Sequence, residues 1–385
     1  MFYFTKLDPN FRIKGSRDPL GFQPIWQSLG RNVIKYLSTV SNNIRDFQVL
    51  SYAWYFFGDR NPDEFMRFFY KFEQACAYAR GIYIEGDAFN GIDFVRKRIP
   101  DGIYTLSNKD KDTILSNQKA YGVYGKYNRP FTEMGIKESP DFFDVMGAGL
   151  SSKLDLEALR LMVESFFNKD EVSITKEELE IFSKALSSLS KIEREFYMNS
   201  ILKVNGVKHI QNELFDLIQA EPQMANVEQF NLYDFIDTVK LKNISNDLEV
   251  YLEEIKVSEK VLTPYTYLFK TIQSSPTWTE DSLITKPIFK SLPTSTNHQF
   301  TNEVVKELND RLNDSAFEKA VAVTERNITV CKVRNNAPWV KKEGQKLTVS
   351  YFDGGRDIGE FDCNIEYENT YFIPAYLSLY NQIMN

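Results

Sequence analysis

This 385-residue sequence predicts a mainly α fold: a multi-helix bundle with a small antiparallel β-sheet or hairpin, winged-helix-like in layout, near the C-terminus. Three observations predict it. Apolar residues recur at three- and four-residue spacing over most of the chain, the period of one helix face. Capping signals such as Asn61-Pro62-Asp63-Glu64 and Thr175-Lys176-Glu177-Glu178 stand ahead of those runs. Near Ile328 the apolar period changes to two, the mark of strands.

Ser16 to Pro24 (SRDPLGFQP) is dense in turn formers and launches a helix expected from about Ile25 to Val40. A second helix is expected from Ile44 to Phe57. Its stretch Tyr52-Ala53-Trp54-Tyr55-Phe56-Phe57 is apolar on every side, the pattern of a helix buried between others. In the third, Asn61 caps, Pro62 takes the first helical position, and Phe65, Phe68, Phe69, Phe72, Cys76 and Ala79 form one face. Cys76 is thus expected in a core. Between Gly81 and Gly149, glycines scattered among aromatics predict short helices and irregular connections.

From Lys153 to about Ser274 the text reads as helix nearly throughout, with Pro222 and Pro264 marking breaks. Residues 275–300, rich in Ser, Thr and Pro, read as a connector. Val304, Val305, Leu308, Leu312, Ala316, Ala320 and Val323 define one more amphipathic helix. Ile328 to Val333, Leu347 to Tyr351 and Phe361 to Tyr367 then alternate as three strands, closed by a helix from about Ala375. The division expected is an aromatic-rich helical domain at 1–150, an acidic helical bundle at 151–274, the connector at 275–300 and a helix-plus-sheet module at 301–385.

Composition narrows the function. Thirty Phe and 21 Tyr accompany only two His, His209 and His298, so triads, zinc sites and imidazole acid–base chemistry have few residues to use. The net charge is −7, and residues 151–260 hold 13 Lys and Arg against 21 Asp and Glu, which disfavours a non-specific coat on nucleic acid. Cys76, Cys331 and Cys363 are odd in number and widely spaced, giving neither a disulfide framework nor a CxxC metal site. A reducing cytoplasm fits these features. No run approaches the roughly 18 apolar residues of a membrane span, so no membrane partner is expected.

Phosphate-loop, dinucleotide, GxSxG and HExxH signatures are absent, and no cofactor is implied. His209 lies in a helical stretch and His298 in the connector, and each reads as an ordinary surface or helix-end residue. Carboxylate-only metal chemistry needs no histidine, and Asp353, Asp357, Glu360 and Asp362 around Gly354-Gly355 form its best local cluster. Asp353 and Asp357 are the metal candidates, against a simpler reading of the same residues as a polar turn. Glu254-Ile255-Lys256 offers a Glu-x-Lys pair, but beside Glu253 and Glu259 it reads as a solvated helix face.

The most suggestive surface is Cys331 to Lys346 (CKVRNNAPWVKKEGQK). Lys332, Arg334, Lys341, Lys342 and Lys346 oppose a single Glu343, with Trp339 among them, on an expected hairpin that follows a helix. In a winged helix such a hairpin meets phosphates with its cations while an aromatic packs on sugar or base. The simpler reading is a solvated hairpin whose Pro338-Trp339 tucks onto the core.

The stretches GSRDPLGFQPIWQSLGRNVIKYLSTVSNNIRDFQVLSYAW, LSNQKAYGVYGKYNRPFTEMGI, ERNITVCKVRNNAPWV and ENTYFIPAYLSLY resemble segments of uncharacterised proteins encoded in bacterial anti-phage defence gene clusters. The likeness covers the N- and C-terminal thirds. It implies a subunit working beside a nuclease, helicase or ATPase encoded elsewhere, and it carries no catalytic residue onto this chain.

Three readings follow. The first is a non-enzymatic scaffold or adaptor subunit of a multi-protein antiviral complex, whose partners are subunits from the same gene cluster. The second is a DNA- or RNA-binding subunit using the basic hairpin, and the third a metal-dependent phosphodiesterase.

Overall fold

The computed structural model describes residues 17–99, 102–204, 209–352 and 355–385. Helix dominates, at 60% of the described residues, with two small antiparallel sheets among them. In order, the helices are α1 Gln23–Val33, α2 Ile44–Phe57, α3 Phe65–Tyr83, α4 Ile92–Arg98, α5 Gln118–Tyr121, α6 Val123–Glu133, α7 Phe142–Ser151, α8 Leu156–Asn168 and α9 Lys176–Leu186. Then come α10 Lys191–Tyr197, α11 Ile210–Ala220, α12 Leu232–Lys240, α13 Asn246–Ile272, α14 Glu280–Ile284, α15 Ile288–Ser291, α16 Glu303–Asp310, α17 Ala316–Val333 and α18 Ile373–Met384. The strands are β1 Ile103–Ser107, β2 Glu171–Thr175, β3 Thr277–Thr279, β4 Val340–Glu343 and β5 Lys346–Val349.

These elements form two compact units. The first joins the described N-terminal residues through Val33 to Gln229–Tyr371, and the second joins Ile34–Glu228 to Phe372–Asn385. The expected boundaries at 150, 274 and 300 differ from this division, because each unit joins two segments far apart in the chain. Such long-range pairing leaves no trace in local composition.

The second unit is built on α3. Phe65, Phe68, Phe69, Phe72, Cys76 and Ala79 are buried as their spacing predicts, and Phe57, Phe68 and Phe167 bring their rings together. Helix α2 takes the bounds its pattern predicts, but it is not buried all round. Trp54, Tyr55 and Phe56 are half-exposed, and Lys137 lies 3.9 Å over the Trp54 ring. The capping box of Thr175 and Glu178 starts α9 as expected. Strands β1 and β2, in stretches expected to be irregular or helical, pair from Ile103–Thr175 to Ser107–Glu171. Helix α1 stops at Val33 rather than Val40, and Tyr36 beyond it takes a left-handed backbone that no helix can continue through.

In the first unit α13 runs unbroken through Pro264, where a break was expected. Burial of Val261, Leu262, Tyr265 and Leu268 on both sides offsets the backbone hydrogen bond that proline removes. The expected helix from Val304 to Val323 is two, α16 and α17, separated by a turn at Arg311–Asp314. Helix α17 then continues to Val333, where the first strand was expected. Val323, Asn327, Val330 and Cys331 are buried on one helical face, so the short two-residue alternation was incidental. The sheet is ordered β3–β5–β4, with Val340 opposite Val349 and Trp278 opposite Leu347. Its third strand comes from the connector, and Phe361–Tyr367 forms none.

Candidate functional site

Strand register decides what the basic hairpin presents. Val340, Lys342, Leu347 and Val349 share one face of the sheet, whereas Lys341, Glu343, Lys346 and Thr348 share the other. Gly344 makes the turn with a positive φ of 62°. All three hairpin lysines are exposed. Lys332 and Arg334 lie at the end of α17 instead of on the hairpin, and Arg334 is paired with Asp18 at 3.2 Å.

Trp339 is only 3% exposed, so it has no free face on which a base could stack. It packs on Tyr351 and Phe269, and its backbone N–H donates to Oδ1 of the buried Asn327 at 2.9 Å. Asn327 Nδ2 donates to Pro19 O, and Arg326 Nε donates to Leu20 O. Residues 18–21 therefore cover the C-terminal half of α17. The covering is close, since a Cβ on Gly21 would meet Val330 at 2.8 Å.

Beside Trp339 lies a cleft of about 390 Å³, within the range of small-molecule and side-chain receptor sites. Phe22, Trp26, Phe269 and Trp339 give it apolar walls. Several of its polar groups belong to the fold. Lys270 pairs with Glu368 at 2.5 Å, Gln273 Nε2 donates to Tyr351 O, and Asn369 Nδ2 donates to Glu259.

Of the metal candidates, Asp353 lies outside the described residues. Asp357 is exposed and pairs with Lys286 at 2.5 Å. Asp362 accepts the Asn364 N–H in a local turn. Among the described residues, no three His, Cys, Asp or Glu side chains are placed to hold a metal ion.

The expected solvated face of α13 is half buried. Glu259 is fully enclosed and accepts from Thr263 Oγ1 at 2.6 Å, Glu368 N at 2.7 Å, Asn369 N at 2.9 Å and Tyr371 Oη at 2.7 Å. Glu254 accepts from the Thr301 N–H and lies 2.5 Å from His298 Nε2, tying the connector to α13. The chain returns across these positions and supplies donors that the helical pattern does not reveal. His209 caps α11 through Nδ1, and burial beside Lys35 holds its pKa below the usual range.

The second unit holds a set of buried charges that sequence reasoning missed. Arg80 reaches Asp46 at 2.5 Å and Asp87 at 2.7 Å. Two turns earlier on α3, Glu73 accepts from Val123 N at 2.5 Å and Gln118 Nε2 at 2.6 Å, and burial pushes its pKa up to about 7. Burial likewise raises the Cys76 thiol well above its ordinary range, which keeps it an unreactive thiol. Lys153 pairs with Glu193 at 2.7 Å and donates to Tyr52 Oη, and burial lowers its pKa. Lys71 is buried with no partner for Nζ. No local signal marks Lys71, because Arg67, Lys71 and Gln74 recur at four and three residues like a solvated stripe, and only the packing of other segments encloses it.

No helix among the described residues is long and apolar enough to cross a membrane. Comparison with known proteins finds no matching family profile, no matching curated protein and no matching solved structure.

Proposed function

We propose that the chain is a non-enzymatic scaffold or adaptor subunit of a multi-protein bacterial complex, acting in anti-phage defence beside a partner that handles nucleic acid. The observation that carries this reading is the cleft beside Trp339. Its walls are aromatic, and Lys270, Gln273, Glu368 and Asn369 are engaged by the fold, so it suits holding a partner's side chain rather than exchanging protons with a substrate. Co-expression with the neighbouring genes followed by size-exclusion chromatography tests the reading. A stable co-eluting complex is expected, and a chain that elutes alone as a monomer sinks it.

A second reading, contact with DNA or RNA, draws on the β4–β5 hairpin that follows α17 and on exposed Lys332, Lys341, Lys342 and Lys346. Contact would be limited to phosphates, because residues 18–21 cover half of α17 and Trp339 is enclosed. The pair Lys341→Glu and Lys342→Glu should then weaken binding and flatten its salt dependence. Unchanged affinity removes the hairpin from consideration.

A further inference from the structure

In the second unit, a cleft of about 260 Å³ opens where the end of α9, the start of α10, the start of α2 and the end of α18 meet. Arg45 and Arg194 both line it, with Ser187, Ser188 and Gln382, and its lining contains no Asp or Glu side chain. Gln48, 1% exposed, closes its inner end. We propose that this cleft binds a phosphate group, either free phosphate or the phosphoryl end of a small ester.

The argument rests on charge and donor geometry. Both guanidinium groups are anchored by chain carbonyls: Arg45 Nε donates to Leu186 O at 3.1 Å, and Arg194 Nη1 donates to Ile383 O. Such bonds fix orientation without neutralising charge. Arg45 has Asp87 at 3.5 Å, a carboxylate shared with Arg80, which also holds Asp46. Among the described residues, Arg194 has no carboxylate within 4.0 Å. Two half-buried guanidinium groups thus share one small cavity, and among the described residues only Arg45 has a carboxylate partner. An anion that joins it gains charge-assisted bonds from both groups.

An arginine carries five donors in a planar fork; Arg45 uses two of them, on Leu186 O and Asp87, and Arg194 uses one, on Ile383 O. The remaining donors match the oxygens of a tetrahedral oxyanion, which accepts from several directions at once. Size agrees with this, because the cavity falls below the roughly 300 Å³ at which drug-sized ligand sites begin.

Isothermal titration with inorganic phosphate, glycerol 3-phosphate and AMP, at constant ionic strength set with chloride, tests the assignment. Saturable binding of at least one is expected in the unaltered protein. Tighter binding of an ester identifies the phosphoryl end of a small molecule, and equal binding identifies free phosphate. Arg194→Gln should weaken binding at least tenfold, and Lys191→Gln, which removes a neighbouring charge outside the cleft, should leave it unchanged. Should Arg194→Gln fail to fold, Arg194→Lys retains the charge without the fork and should weaken binding several-fold. Absence of saturable binding, or equal losses in the Arg194 and Lys191 variants, overturns the proposal.

Discussion

Replacing Glu73 by Gln should remove a pH dependence of stability that the buried carboxyl imposes on the second unit. Glu73 is enclosed, and burial raises its pKa from an ordinary 4.5 to about 7, against the opposing effect of the Val123 and Gln118 donors. Asp46 from α2 adds to the rise, Arg80 on α3 counters it, and Lys126 from α6 shares the same small cavity. Between these two pKa values the folded protein holds a proton that the unfolded chain has released, so stability falls as pH rises. A shift of this size corresponds to about 3 kcal/mol in full, of which about 2.5 kcal/mol is lost between pH 5 and pH 8. The contribution is complete below pH 4.5 and gone above pH 7. Urea denaturation followed by circular dichroism at several pH values gives the comparison, because groups that titrate in both proteins cancel in the difference. Stability of the native protein should fall by about 2.5 kcal/mol more than that of Glu73→Gln over this range. Parallel pH profiles would refute the reasoning.

Three other substitutions probe enclosed groups. Lys71→Met removes a buried ammonium that lacks a partner, and should raise stability by about 1 to 2 kcal/mol in thermal unfolding. Glu259→Ala strips the shared acceptor from Thr263, Glu368, Asn369 and Tyr371, and should lower stability by about 3 kcal/mol or more. Trp339→Ala should cost about 3 to 5 kcal/mol as a core truncation, and its effect on nucleic-acid affinity should not exceed what the lost stability explains.

The sequence reveals what is local. The α3 face from Phe65 to Ala79 and the Thr175 capping box follow from spacing and donor chemistry within a few residues. The hairpin lysines also fall where they were expected. Trp339 shows the limit, since its neighbours Tyr351 and Phe269 enclose it from different parts of the chain. Glu259 shows it again: a charged residue on a helix reads as solvated until residues 368–371 return with their N–H groups. Neither Arg45 nor Arg194 stood out, because the end of α9 and the end of α18 bring their cleft together.

The discontinuity of the first unit sets an order of events on the ribosome. Helix α1 is translated early, yet its partner α13 begins only at Asn246, after Ile34–Glu228 has been made. During that interval Ile25, Leu29 and Val33 have no partner from their own unit, and they are apolar side chains on a nascent chain. Elongation at about 5 to 20 residues per second makes this exposure last some ten seconds or more. Chains arrested before α13 should therefore recruit chaperones through α1, and full-length chains should release them once Tyr371 has been added and Glu259 has gathered its donors.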